Sequence, residues 1–90
     1  MSKTFSYLVC YDISDPPLLQ RVAYYLEKKG LRLQKSIFIL NLPQHEIDSV
    51  KHTLFKMVGH EHHIMILPLC RSCVNKAVFL GDSIDEYLVY

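Results

Sequence analysis

Asp12 is the side chain whose type and place most directly suggest chemistry. It ends the apolar run Phe5-Ser6-Tyr7-Leu8-Val9-Cys10-Tyr11 and precedes Ile13-Ser14-Asp15-Pro16. An ionised carboxylate at the rim of an apolar strand is costly unless a cation meets it there. Asp12 therefore reads as a metal ligand; the plainer use of aspartate at such a place is to form a turn. Mg²⁺ keeps several waters and needs only one or two protein carboxylates. A two-fold dimer would duplicate Asp12 and set a metal at the interface. Asp15 reads as a helix cap rather than a second ligand.

Two further groups have chemical potential. Cys70 and Cys73 are spaced as a Cys-x-x-Cys pair, with His60, His62 and His63 upstream. A zinc site would need four ligands, and His60 and His62 could join the cysteines only if the chain folded back through Pro68. The histidines could also serve as general acids or bases near neutral pH, or simply lie on the surface. Lys28, Lys29, Arg32 and Lys35 form a basic cluster that Lys51, His52 and Lys56 could extend. It reads either as phosphate contact or as dipole complementation beside a solvated rim. No Ser-His-Asp arrangement or glycine-rich phosphate loop is legible.

These residues need elements to position them. Residues 5–11 have strand composition, and Pro16 opens a helix whose apolar positions are Leu18, Leu19, Val22, Ala23 and Leu26. Gly30 reads as its left-handed cap. Leu31 to Leu40 follows as strand, with Leu33, Ile37 and Ile39 on one face and Gln34, Ser36, Phe38 and Leu40 on the other. Both faces are partly apolar, which predicts helices on one and a cover from outside the chain on the other. Asn41-Leu42-Pro43 reads as a break, and Ile47, Val50, Leu54, Met57 and Val58 mark a second helix closed by Gly59. His62 to Leu69 reads as strand, Cys70 to Lys76 as an irregular crossing, Ala77 to Leu80 as a fourth strand, and Tyr87 to Tyr90 as strand-like. The order is βαβαββ if Leu31 to Leu40 is continuous, or βαββαβ if it is split. An α+β, ferredoxin-like sheet with both helices on one face accommodates it.

The 90 residues fit one domain, 1–90, with 81–90 as a tail. Such a chain buries a thin core, so a symmetric partner is a natural cover. With 50% hydrophobic and 21% charged residues it falls among ordinary globular proteins, and a net charge of +1 gives no global attraction to nucleic acid. Three cysteines are no disulfide framework, no signal-peptide pattern opens the chain, and no apolar run has membrane-spanning length. The expectation is a cytoplasmic protein.

Taken together, three stretches resemble the CRISPR-associated protein two family. They are Tyr7-Leu8-Val9-Cys10-Tyr11-Asp12-Ile13-Ser14-Asp15, Gly30-Leu31-Arg32-Leu33-Gln34-Lys35-Ser36-Ile37-Phe38, and Ile66-Leu67-Pro68-Leu69-Cys70 with Cys73 and Gly81. The resemblance implies a ferredoxin-like protomer, a homodimer with facing sheets, and a divalent metal (Mg²⁺ or Mn²⁺) between two copies of a catalytic Asp12. It implies metal-dependent endonuclease cleavage of RNA or duplex DNA in some members. In others it implies a bridge between CRISPR integrase dimers during spacer acquisition. It places Ser36 and Phe38 near the dimer seam and gives Tyr87, Leu88, Val89 and Tyr90 a partner-binding role. Two places depart from the family pattern. Leu18 and Leu19 stand where arginines are common, and Ile39 follows Phe38 where many members are acidic; both bear on hydrolysis more than on the fold. The alternative is a small ferredoxin-like regulatory module that binds a ligand and no nucleic acid.

Overall fold

The computed structural model describes residues 3–78 and residue 80. Its order is β1 (Thr4–Asp12), α1 (Pro16–Glu27), β2 (Gly30–Gln34), β3 (Ile37–Pro43), α2 (Gln44–Val58), β4 (His63–Leu69) and α3 (Arg71–Asn75). The four strands form one sheet in the order β2-β3-β1-β4, every neighbouring pair antiparallel. This is the expected α+β, ferredoxin-like arrangement.

Alternation along β1 divides the sheet into two unlike faces. Tyr7, Val9 and Tyr11 are buried, and Val9 pairs with Phe38 and Tyr7 with Leu40 on β3. Onto this face pack Leu18, Val22, Ala23 and Leu26 of α1 and Ile47, Val50 and Leu54 of α2, forming one core cluster. Leu19, Met57 and Val58 are partly buried against it. The opposite face carries Leu8 and Cys10 of β1, Ile37 and Ile39 of β3, Leu31 of β2, and Met65 and Leu67 of β4, by their pairing in register. None of these is in the core cluster, and Met65 and Leu67 are 53% and 44% exposed.

The structure selects the split order. Leu31 to Leu40 is a hairpin turning at Lys35-Ser36, with an irregularity between Arg32 and Gln34 where the register shifts. Several boundaries differ from expectation. Gly30 is not a left-handed cap, because Lys28 caps α1 in right-handed conformation and Gly30 begins β2. A side chain at Gly30 would collide with the Ile39 carbonyl oxygen and Leu40 Cδ2, so close approach of β2 to β3 explains the glycine. Asp15 stands at the N-cap of α1 without a side-chain capping bond. Strand β3 runs through Asn41 and Leu42 to Pro43, and Pro68 is held in the edge strand β4, where a missing N–H is tolerated. Residues 71–75 are helical rather than irregular. Ala77, Val78 and Leu80 are not in a strand, because splitting the earlier segment has already supplied the fourth one. The segment Tyr87 to Tyr90 lies outside the described residues.

Candidate functional site

Chain direction gathers three junctions at one end of the sheet. They are the end of β1, the β2–β3 turn, and the loop from α2 to β4. The Tyr11 N–H donates to the Ser36 carbonyl at 3.1 Å, and Asp12 lies opposite His63 in the β1–β4 register. Tyr11 enters the core, so Asp12 falls on the open face, exposed, with an exposed His63 beside it. Asp12, Lys35, Ser36 and His63 are thereby brought to one end, with His60, Glu61 and His62 in the adjoining loop.

The turn is pinned from beneath. Tyr11 Oη donates to the Lys35 carbonyl at 3.1 Å, and Arg32 Nη2 donates to the same oxygen at 2.8 Å. The Tyr11 ring stacks on Phe38 with centroids 6.2 Å apart, and the Arg32 guanidinium lies 5.4 Å from the Phe38 ring centre. Burial pushes the Tyr11 phenol above its ordinary pKa, with Arg32 pulling the other way. Arg32 also meets Glu27 at 3.8 Å, the one ion pair among the described residues, and its Nε is buried without a partner.

This geometry divides the basic cluster. Arg32 is engaged by Glu27, Phe38 and the turn, and offers little charge to a phosphate. Lys28 and Lys29 precede Gly30 while Lys35 follows Gln34, so five residues of strand separate them by about 15 Å. Lys28 Nζ sits 4.3 Å above the Tyr24 ring and Lys29 Nζ 5.7 Å from the Tyr25 ring. Only Lys35 of the four stands free beside Asp12. Ser36 contributes its carbonyl to Tyr11, whereas Phe38 is fully buried on the helix side. Its side chain belongs to the protomer core and cannot itself line a seam on the open face.

The zinc reading fails on placement. His63 begins β4 and Cys70 follows its end, so the seven-residue strand holds them about 20 Å apart. Among the described residues no three His, Cys, Asp or Glu side chains gather closely enough to hold a metal ion. His63 beside Asp12 was not legible in sequence, since a strand's own alternation does not reveal which residue lies opposite on its neighbour. The described residues contain no helix long and apolar enough to cross a membrane.

A family model described as CRISPR associated protein Cas2 matches residues 5–77. The chain belongs to the Cas2 family. Among Cas2 relatives, the CRISPR-associated endoribonuclease Cas2 2 of Thermodesulfovibrio yellowstonii is 33% identical over 81 residues, covering 89% of each chain. The CRISPR-associated endoribonuclease Cas2 1 of Archaeoglobus fulgidus is 35% identical over 79 residues, covering 86% of this chain and 84% of its own. The crystal structure of Streptococcus pyogenes Cas2 at pH 6.5 superimposes with a TM-score of 0.77 at 24% identity, covering 84% of this chain and 99% of that one. At that identity the likeness bears on the Cas2 fold alone.

Proposed function

We propose that this chain is a metal-dependent endonuclease subunit of CRISPR spacer acquisition, working in the cytoplasm as a homodimer built on its open sheet face. One observation carries the reading. Asp12 is exposed, has no ion-pair partner among the described residues, and sits beside His63 at the end of the sheet face that α1 and α2 leave open. An unneutralised carboxylate there suits a hard divalent cation, and the scarcity of other ligands among the described residues favours a seat completed by a second copy. The names of the relatives, endoribonucleases at 33% and 35% identity, favour RNA as the first substrate to test.

In this reading the Asp12 carboxylates of the two copies would hold Mg²⁺ or Mn²⁺. The cation would polarise the scissile phosphodiester and make a water molecule a better nucleophile. Lys35 supplies positive charge to an adjoining phosphate, while Tyr11 and Arg32 fix the turn that carries Lys35. His63 is placed to hold or pass a proton beside Asp12. Lys28 and Lys29, at the other end of the sheet, contact the backbone of a longer nucleic acid. The same dimer bridges CRISPR integrase subunits across duplex DNA, with Tyr87, Leu88, Val89 and Tyr90 of the tail as partner contacts, and 1–90 as one folded domain.

The test is Asp12→Asn, which keeps the side-chain shape and removes its charge. With Mg²⁺ present, cleavage of single-stranded RNA should fall at least about a hundredfold, since acid–base or metal-bound groups contribute on that scale. Sedimentation should show the dimer unchanged. Wild-type cleavage by the variant would reject Asp12 as the catalytic ligand.

A further inference from the structure

Cys70 and Cys73 have no part in the site just described and lie beyond the other end of β4 from it. Their Sγ atoms are 3.2 Å apart, and the Cys73 N–H donates to Cys70 Sγ at 3.3 Å. Both residues are exposed, so a small reagent can reach them. Among the described residues no third His, Cys, Asp or Glu joins them, which favours chemistry between the two sulfurs over a metal cage. Cys10 is remote, paired with Met65 in the middle of the sheet, whereas Cys70 follows Leu69, which pairs with Ser6.

We propose that Cys70 and Cys73 form a dithiol redox site whose oxidant is a low-molecular-weight disulfide. Cys70 is the attacking sulfur. The hydrogen bonds from the Cys73 thiol and backbone N–H stabilise its thiolate and hold its pKa below the ordinary thiol value, while the same contact raises that of Cys73. Cys70 Sγ attacks one sulfur of the external disulfide, the external S–S bond breaks, and one thiolate leaves. That thiolate takes the Cys73 proton. Cys73 Sγ then attacks Cys70 Sγ, breaking the mixed disulfide and releasing the second thiolate, which is protonated from water. The external disulfide gains two electrons and becomes two thiols; the protein loses them and gains a Cys70–Cys73 bond. The sulfurs need only close from 3.2 Å to about 2.05 Å. Cys70 follows β4 directly and Cys73 lies within α3, so the bridge would tie the first turn of α3 to the end of β4.

The probe is glutathione. Full-length protein is equilibrated in buffers of varied oxidised-to-reduced ratio, acid-quenched, alkylated, and mapped by mass spectrometry. Wild-type protein and Cys10→Ser should both convert to the Cys70–Cys73 disulfide, reversibly and with one midpoint. Cys73→Ser should stop at a glutathione adduct on Cys70, because the resolving sulfur is gone. In reduced wild-type protein, limiting iodoacetamide at neutral pH should modify Cys70 about tenfold faster than Cys73. Equal alkylation rates, or a wild-type glutathione adduct that persists without internal bridging, would overturn the proposal. So would tight binding of added zinc that protects both thiols from iodoacetamide.

Discussion

Tyr11 and Asp12 are adjacent in sequence and opposite in fate, because a strand sends successive side chains to opposite faces. Tyr11 anchors the Lys35 carbonyl, and Asp12 is left on the open side with His63. Replacing Tyr11 by Phe removes one of the two donors to that carbonyl. Arg32 still satisfies it at 2.8 Å, so the loss should be near 1 kcal/mol rather than the larger cost of an orphaned buried acceptor. Urea unfolding would measure it. The raised phenol pKa adds a pH signature. Below the ordinary value of 10.0 the phenol is protonated in both folded and unfolded chains, and its contribution is intact. As pH rises above 10.0 the unfolded chain loses the proton first, so stability falls until the folded phenol also ionises. Stability curves through that range should fall less for Tyr11→Phe than for wild type; parallel curves would reject the assignment. Sequence alone reveals Asp12 by its place after an apolar run. It cannot reveal that Arg32 is consumed by Glu27 and the turn, since that depends on where β2 meets α1.

Elements with sustained periodicity were legible, and those defined by pairing were not. The apolar positions of α1 and α2 recur over three or more turns, whereas α3 is five residues long and too short to show a period. The β2–β3 turn escaped for a specific reason. Tight two-residue hairpins usually need residues of positive φ and hence Gly, Asn or Asp. Here Lys35 and Ser36 make the turn, and among the described residues only Gly59 has positive φ. The register shift between Arg32 and Gln34 and the two bonds to the Lys35 carbonyl stand in for that signal. The same hairpin explains Gly30, which looked like a cap because it follows two lysines at a helix end. Gly30→Ala would drive Cβ into the Ile39 carbonyl oxygen and Leu40 Cδ2. Backbone cannot yield as a side-chain tip can, so β2 must shift away from β3 at a cost of about 1–3 kcal/mol. The urea midpoint should drop at unchanged slope. A cap glycine of positive φ would also be sensitive to Ala, but the D-alanine version would then be tolerated. At Gly30 a chemically synthesised chain with D-alanine should gain nothing from left-handed backbone, because the residue lies in a strand.

Over the whole molecule, the described fold measures 35 × 34 × 18 Å, thin enough for one sheet and one helix layer. Helices α1 and α2 cover the same face, which leaves Met65 and Leu67 exposed and Leu8, Leu31, Ile37 and Ile39 half-buried on the other. The apolar content of both strand faces is visible in the sequence; which face stays bare follows only from the pairing order. A contiguous apolar face on so small a chain is a natural interface, and a two-fold axis through it would bring each copy of Leu67 to the other copy's open face. Leu67→Glu tests this directly. Leu67 is 44% exposed and outside the core cluster, so the protomer should keep its fold and lose little stability, within about 0.5 kcal/mol. Introduced charge on both copies would be desolvated on association, and sedimentation should show monomer under conditions where the proposed wild-type dimer forms. If the cation seat requires two Asp12 carboxylates, Mg²⁺-dependent RNA cleavage must fall with the dimer, although Asp12 itself is untouched. Gln20→Glu, exposed on α1 at the helix side and outside the proposed contacts, should leave both assembly and cleavage as in wild type. A Leu67→Glu protein that stays monomeric yet cuts RNA at the wild-type rate would show that one protomer holds the whole site.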